Sequence, residues 1–311
     1  MTPIQAGSRP SGIPVTLTCR DGIVLHGHLW KARKRASAGV IINPATGVLA
    51  RFYHYYADFL AGEGFDVLTY DYRGIGLSRP KSLRGCGYRW RDWGEQDFDA
   101  ALRFMTAELG ADRAGGRPVR VVGHSIGGYL PGLSPDAHRI ERMLTVAAQY
   151  AYWRDYKARR RARLFFKWHV AMPILTAVLG YFPGRRLNWL EDLPAGVANE
   201  WSFRRSRMEL THPADERDAV LQRFTAVKAS ILAIIVTDDD LGTQAAVRRT
   251  LDYYSNAVRT EVLLAPSIYG MDAIGHFSLF HSRHAEGFWR DTVLWLRDGE
   301  NPWGDRQVMP T

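Results

Sequence analysis

The chain has 311 residues, 46% of them hydrophobic, which is enough to bury the core of one large α/β domain. Its two cysteines, Cys19 and Cys86, lack metal-ligand spacing; this excludes a disulfide framework and a zinc site and predicts two buried thiols. The formal charge of +9 comes without a nucleic-acid-binding motif, so no nucleic-acid partner is expected.

In chain order, Met1 to Gly12 lacks the apolar run of a secretory signal, and a cytoplasmic protein is expected. The runs Pro14 to Cys19 and Ile23 to Trp30 read as strands. They are joined by Arg20-Asp21-Gly22, whose Asp-Gly pair predicts a hairpin turn and an antiparallel entry into a sheet. Further strands are predicted at Gly39 to Asn43, Val67 to Asp71, Val119 to Gly123, Met143 to Ala147, Ile231 to Val236 and Glu261 to Leu264. Their alternation with helical patterns predicts an α/β fold, a mostly parallel sheet of about eight strands with helices on both faces. Asp92 and Asp97, near Trp90 and Trp93 at a helix start, are assigned to capping and packing.

More than eighty residues separate the sixth strand from the seventh, far beyond what one crossover needs. Residues 149–210 are expected to form an inserted, mainly helical lid, with 1–148 and 211–311 forming the main domain. Within the insertion, Leu164 to Phe182 is apolar but interrupted by Lys167, His169 and Pro173, so no integral membrane segment is expected. Residues of this stretch, Val170 and Leu175 among them, either line a substrate cavity or pack on the sheet. The basic clusters Lys31 to Arg35, Lys157 to Arg163 and Arg204 to Arg207 read as solvated surface. Attraction of an anionic substrate or a membrane surface is the second reading.

The strongest chemical signal is Val119-Arg120-Val121-Val122-Gly123-His124-Ser125-Ile126-Gly127-Gly128, a β-rich run ending in Gly-x-Ser-x-Gly. A serine hydroxyl is a weak nucleophile and must project from a sharp strand-to-helix turn where a base can reach it. Gly123 and Gly127 allow the close backbone approach such a turn requires. His124 points away from the nucleophile at such a turn and is read as structural.

With this motif the chain resembles the α/β-hydrolase superfamily, its serine esterase, lipase and serine-aminopeptidase-like branch in particular, and a little-characterised bacterial group of predicted α/β hydrolases. The supporting pieces are Asn43-Pro44-Ala45-Thr46-Gly47, Asp71-Tyr72-Arg73-Gly74-Ile75-Gly76-Leu77-Ser78, the serine turn, Thr237-Asp238-Asp239-Asp240 and Gly275-His276-Phe277. The resemblance implies an α/β-hydrolase fold and a triad in the chain order Ser, acid, His, with Ser125 as nucleophile and His276 as base. His281 and His284 are expected on the surface or as caps of a helix running toward Trp289. The acid is Asp239 or Asp240, since the aspartate run follows a strand at the C-terminal edge of the sheet. Oxyanion donors fall on Ile126 and Ala45; Pro44 has no N–H, so Thr46 is the alternative to Ala45. The implied reaction is transfer of an acyl group from a small-molecule ester, thioester or amide to water, with neither metal nor organic cofactor. An acyltransferase using the same triad and a non-catalytic ligand-binding protein on the same fold remain open.

Overall fold

The computed structural model describes residues 10–112 and 114–308. Strands β1 (Ile13–Thr18) and β2 (Val24–Trp30) form the expected hairpin, closed by Cys19 N–H to the Ile23 carbonyl at 2.9 Å, with Gly22 at φ 82°. Positive φ is cheap only for glycine, which is why the Asp-Gly pair was legible. β3 (Ala38–Asn43), β4 (Phe65–Tyr70), β5 (Val119–His124) and β6 (Ile140–Val146) follow, with helices α1 (His54–Gly62) and α2 (Asp99–Leu109) between them.

Between β6 and the next main strand, α3 (Ala158–Phe165) continues through a wide turn at 166–171 into α4 (Met172–Leu179), making one helix from Ala158 to Leu179. Pro173 has no N–H to give its preceding turn, and a local widening of the helix accommodates that loss. Gly180, at φ 75°, ends the helix. A two-strand ribbon, β7 (Tyr181–Phe182) with β8 (Leu193–Pro194), then leads to α5 (Ala195–Ser202) and α6 (Arg217–Ala226). The chain returns through β9 (Ser230–Val236), α7 (Gln244–Leu251), β10 (Val258–Leu264) and α8 (Arg290–Asp298).

The main sheet has eight strands in the order β1-β2-β4-β3-β5-β6-β9-β10. Only β1–β2 and β2–β4 pair antiparallel; the other five pairings are parallel. Both faces are covered. In β9, Ile231, Ala233 and Ile235 enter one hydrophobic cluster, while Leu232, Ile234 and Val236 enter the other. A strand buried on both faces reads as a continuous apolar run, which is the pattern of Ile231–Val236. Cys19 is buried as expected, but Cys86 is only partly so, lying on an open loop rather than in the core.

Candidate active site

The C-terminal ends of β5 and β9 bring the chemistry together. β5 stops at His124, and Ser125 sits at φ 55°, a left-handed conformation that costs a non-glycine residue of order 1 kcal/mol or more. The turn is held by close packing. A side chain at Gly127 would lie 2.2 Å from the Asn43 carbonyl oxygen, and one at Gly123 would lie 2.5 Å from that of Gly127. The Asn43 Nδ2 donates to the Gly127 carbonyl at 3.1 Å and the Tyr70 hydroxyl donates to Asn43 Oδ1 at 2.9 Å, tying the turn to β3 and β4.

After β9 the three consecutive aspartates take three different jobs. Asp238 accepts the Ile274 and Gly275 N–H groups at 3.0 and 3.1 Å, fixing the loop that carries His276. Asp239, fully buried, meets His276 Nδ1 through Oδ2 at 2.6 Å and accepts the Leu241 N–H at 2.8 Å. Burial alone would raise its carboxyl, but the His276 ring, their hydrogen bond and the Leu241 and Gly242 amides outweigh it and hold the group below the ordinary value. Asp240 departs from its expectation. Its carboxylate turns outward to Arg159 at 3.1 Å and Arg160 at 3.2 Å.

His276 is also held from behind. Its carbonyl is 2.8 Å from His124 Nε2, and His124 Nδ1 is 2.7 Å from the Tyr53 hydroxyl. A carbonyl only accepts, so His124 carries its proton on Nε2, and Nδ1 accepts from Tyr53. Complete burial pushes His124 down to about 3, so it is neutral across the working range. The Tyr53 oxygen in turn accepts the Ala45 N–H at 3.0 Å. This corrects the expectation for Ala45: its amide is already committed and is not free to bind an oxyanion. Thr46 lines the cavity one residue on, and among the described residues its N–H has no protein partner.

Ser125, Ile126, Gln149, Thr46 and His276 face a common cavity of about 240 Å3. Its remaining wall is largely aromatic and aliphatic, with Trp90, Trp168, Trp189 and Trp201 beside Leu164 and Leu190. Gln149, which sequence reasoning did not single out, places Nε2 3.2 Å from Ser125 Oγ. Nothing in the local sequence marks it except its position just after β6. Lys167, also in the wall, lies 4.3 Å from the centres of both the Trp168 and Trp189 rings, a cation held between two π faces.

Val170 and Leu175 are not part of this wall. The helix turns Leu164, Lys167 and Trp168 to the cavity instead, while Leu175 packs against the core and Val170 is half-buried on another face. A larger hollow of about 460 Å3, lined by His26, His28, His54 and Arg51, contains neither Ser125 nor His276. His281 is exposed, as expected. His284 is not: it is buried with Nε2 2.9 Å from Ser278 Oγ, since the chain makes tight turns at 278–284 before α8 begins. Asp92 accepts the Arg89 N–H at 2.8 Å at a helix start, and buried Asp97 receives Arg73 Nε–H at 2.6 Å, both structural roles.

A serine on a strained turn, an imidazole oriented by a buried carboxylate and free amides at the start of a helical turn are the parts that nucleophilic acyl transfer requires. A comparison with curated protein sequences found no match. Among solved structures, the chain is similar to an esterase of Pyrococcus furiosus, with TM-score 0.58 and 18% identity over 92% of this chain and 90% of that one. It is likewise similar to a soluble variant of the monoglyceride lipase of Saccharomyces cerevisiae, with TM-score 0.65 and 14% identity over 95% and 98% of the two chains. At such identities the likeness establishes the fold. The model of the alpha/beta hydrolase family matches residues 23–302. The chain therefore belongs to the alpha/beta hydrolase family.

Proposed function

We propose that this protein is a serine hydrolase cleaving carboxylic esters through an acyl-Ser125 intermediate. The observation that carries the reading is that Ser125, on its positive-φ turn, and His276, paired with buried Asp239, face one cavity. Because Asp239 holds Nδ1–H, the basic nitrogen of His276 is Nε2. Ser125 Oγ bonds to the ester carbonyl carbon as Nε2 takes its proton. The amides of Ile126 and Thr46 receive the developing oxyanion, and the C–O bond breaks as His276 returns the proton to the departing alcohol. Water then gives a proton to the same nitrogen as it bonds to the acyl carbon, and the acid is released as the bond to Ser125 Oγ breaks and His276 returns that proton to Oγ. Among the described residues Gln149 is the hydrogen-bond partner of Ser125 Oγ, and catalytic hydrogen bonds to the base commonly close only once substrate is bound.

The segment 149–210 serves as a lid, since Leu164, Trp168, Trp189 and Trp201 from it roof the cavity. The volume admits roughly 8 non-hydrogen atoms if each needs about the 30 Å3 that a water occupies in the liquid. A short hydrophobic acyl group is the substrate this favours. The test is covalent labelling with a fluorophosphonate together with hydrolysis of p-nitrophenyl esters. Labelling that persists in Ser125→Ala, or no turnover of any ester by labelled-competent protein, would overturn the proposal.

A further inference from the structure

We infer that the outer face of the helix Ala158–Leu179 docks on an anionic lipid surface. The helix has two apolar stripes, not one. At four-residue spacing, Leu164, Trp168, Met172 and Thr176 form the inner stripe, of which the last three are buried and the first two line the cavity. Two residues out of phase, Phe166, Val170, Ile174 and Val178 form a second stripe on the opposite side. Phe166 is 62% exposed, Ile174 58% and Val178 76%, with Val170 half-buried between them, so among the described residues nothing covers most of this stripe. Large apolar side chains exposed singly are ordinary; a row along one helix face marks an interaction surface.

The charge pattern selects the partner. From Ala158 to Leu179 the helix has no acidic residue, while Arg159, Arg160, Arg161 and Arg163 crowd its first two turns. Arg163 precedes Phe166 by three residues and so shares its face, and it has no carboxylate partner among the described residues. An apolar row flanked by guanidinium groups is the composition of helices that lie in a bilayer interface, apolar side chains among the acyl chains and cations at anionic headgroups. A second copy of the chain fits less well. An antiparallel pairing of two such helices would press arginines on valines, and a parallel one would press arginine on arginine. By length and composition the helix reaches what a membrane crossing needs, yet Trp168, Met172 and Thr176 are committed to the protein interior, so it lies on the surface instead of spanning.

The inference stands apart from the hydrolase reading, because it concerns the face turned away from the cavity. The experiment is co-sedimentation of the full chain with vesicles of phosphatidylcholine alone and with about one third phosphatidylserine. Wild type is expected to partition onto the anionic vesicles at least tenfold more strongly, and to release as salt rises, since each arginine near such a surface contributes about fivefold. Phe166→Ser/Ile174→Ser/Val178→Ser is expected to lose at least tenfold of that binding while keeping its thermal midpoint and its fluorophosphonate labelling, because all three positions are exposed. Arg163→Gln should lose a few-fold. Ser125→Ala should bind as wild type does, which separates surface docking from lipid held in the cavity. Equal binding by wild type and the triple variant would overturn the inference. So would absence of wild-type binding, or a concentration-dependent dimer in solution that the triple variant abolishes.

Discussion

Replacing Asp239 by Asn and, separately, Asp240 by Asn should give activities that differ by more than a thousandfold. Asp239 is buried and bonded to His276 Nδ1 at 2.6 Å, so in the proposed mechanism it sets which imidazole nitrogen is basic and stabilises the imidazolium when the serine proton arrives. An amide can present N–H to Nδ1 and leave the proton on Nε2, where the base must be. The expected fall in kcat/KM is about ten-thousandfold, roughly 5.5 kcal/mol of transition-state stabilisation. Asp240 faces Arg159 and Arg160, both well exposed, and such surface pairs contribute about 0–1 kcal/mol. Its amide variant should therefore keep kcat/KM within about threefold. The assay is hydrolysis of a short p-nitrophenyl ester alongside the second-order rate of fluorophosphonate labelling, which must fall in parallel for Asp239→Asn. Equal losses in the two variants, or the larger loss in Asp240→Asn, would refute the assignment of the acid.

The same carboxylate predicts a pH signature in stability. Asp239 is held below its unfolded value, so its stabilising contribution is present above the unfolded pKa near 3.9 and is lost as pH falls through the folded value; thermal midpoints of wild type and Asp239→Asn should converge only in acid. Tyr53→Phe removes the hydroxyl that accepts from Ala45 and donates to His124. It should cost about 1–3 kcal/mol in chemical denaturation and about tenfold in kcat/KM, and unchanged values of both would show that this chain of hydrogen bonds does not brace His276. Across esters of increasing acyl length, each buried methylene should raise kcat/KM about fourfold, from ~0.8 kcal/mol each, until the cavity fills. Leu164→Trp should move that limit to shorter chains and Val170→Trp should leave it in place; the reverse would mean the cavity wall is misassigned.

What the sequence revealed and what it hid divide along physical lines. Strands were readable because residues buried on both faces leave unbroken apolar runs, as in Ile231–Val236, and the serine turn because its glycines are sterically required. The three aspartates were not separable, because adjacent residues on a turn point in directions set by backbone dihedrals that composition does not encode. Ala45 is not free as an oxyanion donor for a tertiary reason: a tyrosine hydroxyl eight residues downstream accepts its N–H. The cavity side of the helix Ala158–Leu179 was hidden by symmetry. Two apolar stripes lie on opposite faces, and periodicity finds both without saying which one faces Ser125.

The placement of His276 explains why so much buried polar structure surrounds so small a cavity. If His276 receives and returns a proton as proposed, it cannot be locked by bonds to Nε2, and its position has to be fixed through the other atoms it offers. Asp239 takes Nδ1, His124 takes the backbone carbonyl, and Asp238 takes the two amides immediately before it. His124 can hold that carbonyl only as a neutral ring with its proton on Nε2, and burial together with the Tyr53 hydroxyl enforces both conditions. In the proposed mechanism the residue beside Ser125 thus braces His276 without touching the substrate, which accounts for a histidine at a position where the reaction itself needs none.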